Sequence, residues 1–159
     1  MPSLAKQLRY RLEWLAITFM AKIIPLFPHT VMLSIARGFG NIAYLVDKRG
    51  RESALANVRS VIAAGTLPSS NPDDLVKESY RFFARSMCEL FWSARLNPEN
   101  YSQFIQVDIE NQQAFEKAAN EGAIWVTPHY GNFEWISLMM GYRGHPYTLV
   151  AQDFKNPLL

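Results

Sequence analysis

The chain has 159 residues, 49% of them hydrophobic and 13% aromatic, which gives room for one domain with a modest core and argues against intrinsic disorder. Sixteen Lys and Arg against fourteen Asp and Glu leave a net charge of +2, far too balanced for the basic footprint of a nucleic-acid-binding protein. The single cysteine, Cys88, excludes an intramolecular disulfide, and with no Cys/His cluster and no His-Glu-x-x-His segment no metal site is expected.

Lys6, Arg9 and Arg11 precede a largely apolar run from Trp14 to Phe27. No small-residue cleavage site follows, so the run is not a signal peptide. A transmembrane helix needs about 20 apolar residues, and a Lys near its centre costs roughly 2.5–3.5 kcal/mol. Lys22 interrupts this run and Pro25 and Pro28 close it. The pattern favours a helix lying in the membrane interface, with Tyr10, Trp14 and Phe19 near head-group level. Residues 1–28 are therefore read as a membrane-associating helix, and 29–159 as the domain it serves.

Thr30 to Val46 is again apolar and carries Gly38 and Gly40, which predicts a helix packed closely on a neighbour. Gly50 to Ile62 is amphipathic and helical, and Leu67 to Asp74 is a loop that ends as a helix start. The helix running on from there sets Val76, Tyr80, Phe83, Met87, Leu90, Phe91 and Ala94 at three- and four-residue steps, as a core face or as the wall of an apolar groove. Cys88, on the same helix, reads as a small buried hydrophobe. Asn97-Pro98 ends that helix. A strand is predicted over Phe104–Ile109, a helix from Asn111 to Asn120, a strand over Ala123–Thr127, a helix over Phe133–Tyr142 and a strand over Tyr147–Ala151. Strand, helix, strand at this spacing is a βαβ crossover with parallel strands. The expected class is α/β: N-terminal helices followed by a βαβ-type parallel or mixed sheet with flanking helices.

Chemistry concentrates in the stretch from Ala123 to Trp135, read as strand, tight turn, helix, where an open α/β sheet places its ligands. Asn132 is a candidate N-cap, which puts Glu134 in the first helical turn near the positive end of the dipole. His129, on the turn, can face Glu134 across the corner. A His paired with a carboxylate is a general base held in one tautomer. Asn132 and backbone N–H groups at the helix start are candidate stabilisers of an oxyanion.

The block His129-Tyr130-Gly131-Asn132-Phe133-Glu134 resembles the His-x-x-x-x-Glu block of the bacterial lipid A biosynthesis acyltransferases, a branch of the wider lysophospholipid acyltransferase group. Leu149 to Leu159, containing Lys155-Asn156-Pro157-Leu158, is similar to the family's following block, and Lys48-Arg49-Gly50-Arg51 through Ala56-Asn57 is a looser third match. Family members often carry Arg where Gln152 stands here. The resemblance implies the N-terminal half of an acyltransferase α/β domain, with His129 and Glu134 catalytic and Gly131, Asn132, Gln152 and Asn156 binding substrate. It further implies an acyl-carrier-protein or coenzyme A thioester as donor, a membrane glycolipid such as a lipid A precursor as acceptor, no cofactor, and a place on the cytoplasmic side of the bacterial inner membrane. Two other readings stand beside it. Acylation of a lysophospholipid is disfavoured because that group usually has Asp where Glu134 stands, and a truncated, non-catalytic membrane-associated fragment is the second.

Overall fold

The helix starts are set locally. Asp47 precedes a helical run and its carboxylate accepts the Gly50 N–H at 2.9 Å; Asn111 does the same for the Ala114 N–H at 2.9 Å. Each satisfies one of the donors that a first helical turn leaves without a partner. At a third start the Asn71 side chain accepts the Asp73 N–H, Pro72 takes the first helical position, and Asp73 and Asp74 sit against the positive end of the dipole. A computed structural model describes residues 3–67, 71–151 and 153–159. Its helices are α1 (Leu4–Ile23), α2 (His29–Val46), α3 (Lys48–Ala63), α4 (Pro72–Trp92), α5 (Gln112–Glu121) and α6 (Glu134–Tyr142), with short 3-10 turns at Ile24–Leu26, Ser93–Arg95 and Tyr101–Gln103. Residues 68–70, within the expected loop, lie outside the described residues.

The expected α/β sheet is absent. Of the described residues 67% are helical, and none lies in a strand. A strand exists only through its pairing with another backbone and the burial of one face. Over Ala123–Thr127, Ile124 and Val126 are 94% and 89% exposed, and Val150 in Tyr147–Ala151 is 98% exposed, so these β-favouring side chains have nothing to pack on. The start of Phe104–Ile109 is taken up by the preceding turn instead, with the Phe104 and Ile105 N–H groups both donating to the Tyr101 carbonyl.

The described residues form two compact units, one within Met1–Ile23 and Ser93–Leu159, the other Ile24–Trp92. The second is a bundle of α2, α3 and α4. His29 lies by Glu89 and Trp92, Gly40 by Tyr80 and Arg81, and Tyr44 by Asp73 and Tyr80, so α2 and α4 run antiparallel. Met32 and Ala36 are fully buried, and a Cβ on Gly40 would stand 2.5 Å from the Arg81 Cα. Gly40 is thus the close-packing residue the sequence pointed to, whereas a Cβ on Gly38 would meet open space.

Polar ties lock the bundle. The Tyr80 hydroxyl donates to Asp47 at 2.8 Å, the Tyr44 hydroxyl to Asp73 at 3.1 Å, and Arg81 Nε to Asn41 Oδ1 at 2.8 Å. The Gly50 N–H, helped by the Tyr80 hydroxyl, holds the Asp47 carboxyl below its ordinary pKa. Glu89, 4% exposed, faces Arg85 Nε at 2.9 Å and His29 Nε2 at 3.5 Å, so a charge is buried on a face of α4 outside the Val76–Ala94 stripe. Cys88 is buried, as expected; burial, then the neighbouring Glu89 charge, push its thiol pKa up. Phe83, by contrast, is 66% exposed, so the Val76–Ala94 stripe is not a single core face.

In the other unit α1 buries only Tyr10, whose ring has Lys6 and Arg9 over it at 5.6 and 5.4 Å. Tyr10 therefore does not reach outward as expected; Leu4, Leu8, Leu12, Leu15 and Phe19 form the exposed stripe instead. No helix among the described residues is long and apolar enough to cross a membrane.

Candidate active site

Residues 122–133 form an extended connection from α5 to α6, and its ends are set by backbone chemistry. Gly122 closes α5, its N–H donating to the Ala118 carbonyl. Near the other end the Tyr130 N–H donates to the Pro128 carbonyl at 2.8 Å, and Gly131 adopts φ +64°, a left-handed conformation that a side chain disfavours. The reversal at 128–131 is what turns the chain into α6.

His129 is exposed on this reversal, its ring 4.5 Å from that of Phe133 and tilted by 57°. Glu134 is the first residue of α6, as the first-turn placement requires. No hydrogen bond or ion pair joins His129 to Glu134 among the described residues; the imidazole stands against an aromatic face. Asn132 starts α6 through its main chain, its carbonyl accepting the Trp135 N–H at 3.1 Å, while Phe133 occupies the N-cap position without a side-chain cap. The expected Asn132 side-chain cap is replaced by this 3-10-type bond because Phe133 is already helical, at φ −63° and ψ −22°.

Asn156 lies away from the turn, in a different role. It is 4% exposed; its Nδ2 donates to the Tyr10 carbonyl and to Glu13 Oε2, both at 2.9 Å, and its Oδ1 accepts the Leu158 N–H at 3.0 Å. Both amide protons are committed to α1. Beside this tie a cleft of about 290 Å³ is lined by Arg11, Trp14, Leu15 and Leu158. Gln152 lies outside the described residues.

Sequence reasoning missed the support behind the turn. Phe115 of α5 has Trp125 at 5.4 Å, His145 edge-on at 5.2 Å and the Arg143 guanidinium over its ring at 5.7 Å. Phe115 is the one aromatic on α5, and that was the available signal. Trp135, Met139 and Met140 bury one side of α6, and the Tyr142 hydroxyl donates to the Leu96 carbonyl at 2.9 Å. The connection that carries the catalytic candidates is thus held near its start by the Phe115–Trp125 contact, and the helix it enters is buried along one side. Among the described residues no group of three His, Cys, Asp or Glu side chains stands together as a metal site would need.

The bacterial lipid A biosynthesis acyltransferase family matches residues 3–159. The chain belongs to that family. It is also similar to the phosphatidylinositol mannoside acyltransferase of Mycolicibacterium smegmatis (strain ATCC 700084 / mc(2)155), 27% identical over 113 residues. That match takes in 70% of this chain and 36% of the relative, so the chain spans about a third of the relative's length. No solved structure matches. Membership covers the turn, α6 and the Asn156 segment alike.

Proposed function

We propose that this chain carries the catalytic turn of an O-acyltransferase that moves a fatty acyl group from an acyl thioester to a hydroxyl of a membrane glycolipid. The observation that carries this reading is an exposed His129 on the reversal that leads into α6, with Glu134 in that helix's first turn, in a chain of the lipid A acyltransferase family. The acceptor hydroxyl must lose its proton as it attacks the thioester carbonyl. His129 takes that proton; the tetrahedral intermediate then collapses, expelling the donor thiol, which recovers it. A base so placed is worth about 10²–10⁴-fold. No enzyme nucleophile is needed, because the acceptor attacks directly.

Glu134 acts through the imidazole, orienting it and stabilising the imidazolium once the proton has been taken. That pairing requires the His129 ring to leave Phe133, a side-chain rotation open to an exposed residue. Developing negative charge on the carbonyl oxygen is met by N–H groups at the α6 start, with Gly131 allowing close approach of the backbone. The donor is a carrier-protein or coenzyme A thioester. A glycolipid acceptor agrees with the relative named for a phosphatidylinositol mannoside; a lipid A precursor is the acceptor the family's own description supports. The exposed Leu4–Phe19 stripe of α1, beside Arg9 and Arg11, supports an interfacial position on an anionic leaflet.

The test is transfer of labelled acyl groups from carrier-protein or coenzyme A thioesters to glycolipid acceptors. His129→Ala should lower the rate by about 10²–10⁴-fold, Glu134→Ala nearly as much, and the double variant little more, because residues acting as a unit are non-additive. Losses that multiply would show that the two act separately.

A further inference from the structure

We propose that the outward face of α2 is a second docking surface, built to lie on a bilayer containing anionic lipid. At about 100° per residue, a helix carries one face at positions spaced by three and four. Met32, Ala36 and Gly40 form the buried face of α2. The opposite face is apolar too: Val31, Phe39, Ile42, Leu45 and Val46 lie within one arc and are 42%, 45%, 57%, 66% and 71% exposed. The helix is apolar on two sides and uses one of them for packing. From Val31 to Val46 the unused stripe runs about 22 Å at 1.5 Å per residue.

Charge identifies the occupant. α2 contains no Asp or Glu, and its outer stripe leads directly to Lys48 and Arg49, both exposed at the corner into α3. These cations occupy the first turn of α3, where the helix dipole disfavours them, so their charge is not there for the sake of α3. Asp47 is the acid at this corner. It is engaged by the Gly50 N–H and the Tyr80 hydroxyl, and its carboxylate is turned toward the bundle rather than the cations. A long, unbroken apolar strip with cations at its end matches the acyl–head-group boundary of an anionic membrane. Since no helix of the described residues is long and apolar enough to span, α2 would lie along the surface.

The test reads bilayer contact site by site, independently of catalysis and of α1. Ile42→Cys, Leu45→Cys and, as a control on α3, Glu52→Cys are labelled with an environment-sensitive fluorophore; buried Cys88 stays in place, and unsubstituted protein checks that it takes no label. All three positions are exposed, so the label displaces no core. Phosphatidylcholine/phosphatidylglycerol vesicles should shift the emission at 42 and 45 to the blue. Nitroxide lipids should quench those positions several-fold more than 52. Lys48→Glu/Arg49→Glu should weaken the vesicle affinity read at 42 about thirtyfold or more, since each cation near such a surface contributes roughly fivefold. Equal quenching at 42, 45 and 52, or none at 42 and 45, would overturn the proposal. So would a blue shift that grows with protein concentration without vesicles, which would assign the face to a second copy of the chain.

Discussion

Asn156 shows how a residue can carry a family pattern and still be occupied structurally. Its side chain makes three hydrogen bonds within its own unit, two of them to α1. Removing it would leave the Leu158 N–H and Glu13 without these contacts, and a buried group deprived of its partner costs about 1–3 kcal/mol. Asn156→Ala should therefore lower the urea midpoint and speed hydrogen exchange at the Leu158 amide. Asn156→Asp should do more harm at neutral pH, because it sets a carboxylate against Glu13 and the Tyr10 carbonyl, where two donors stood. If both variants left the Leu158 exchange rate unchanged, the tie would have no energetic weight. The placement of His129 before α6 and of Glu134 in its first turn was legible in the sequence because the signal is local, five residues apart. The Asn156 bonds were not, since their partners on α1 are 146 and 143 residues away.

At the scale of elements, the six described helices could be read mainly from periodicity, which acts within a turn or two of the chain. The strands were misread for the opposite reason. Alternation and β-branched residues report how a segment would pair, and the segments at 123–127 and 147–151 have no ladder here. The burial along α4 was also misjudged: Glu89 is inside because Arg85 and His29 meet it, and no apolar pattern announces that. Where α2 crosses α4, Gly40 and Gly38 give a sharp contrast. Gly40→Ala drives a methyl into the Arg81 backbone, and overpacking of this kind typically costs 1–3 kcal/mol, so α2 must shift to accept it. Gly38→Ala meets nothing and removes backbone entropy from the unfolded chain, gaining up to about 1 kcal/mol. Thermal melts of the two variants should move in opposite directions; a Gly40→Ala melt at or above that of the parent would rule out the close approach.

For the whole molecule, the unusual property is that one unit is interrupted by the other in sequence. Ile24–Trp92 is a continuous stretch, whereas its companion is assembled from residues before and after it. Contacts between near neighbours form first, because long loops must close before distant contacts contribute. In refolding followed by pulsed hydrogen exchange, amides of α2 and α4 should gain protection before the Leu158 amide does. Simultaneous protection throughout would show that the two units fold as one.

The bond from Asn156 to the Tyr10 carbonyl then sets a schedule during synthesis. At about 5–20 residues per second, the 146 residues between its two ends take roughly 7–30 s to be made. Through that interval α1 has left the ribosome without its final partner, its leucine stripe open to whatever apolar surface is nearest. A helix with an exposed apolar stripe is therefore made well before the segment that holds it, and stays unfastened while the residues between them are synthesised.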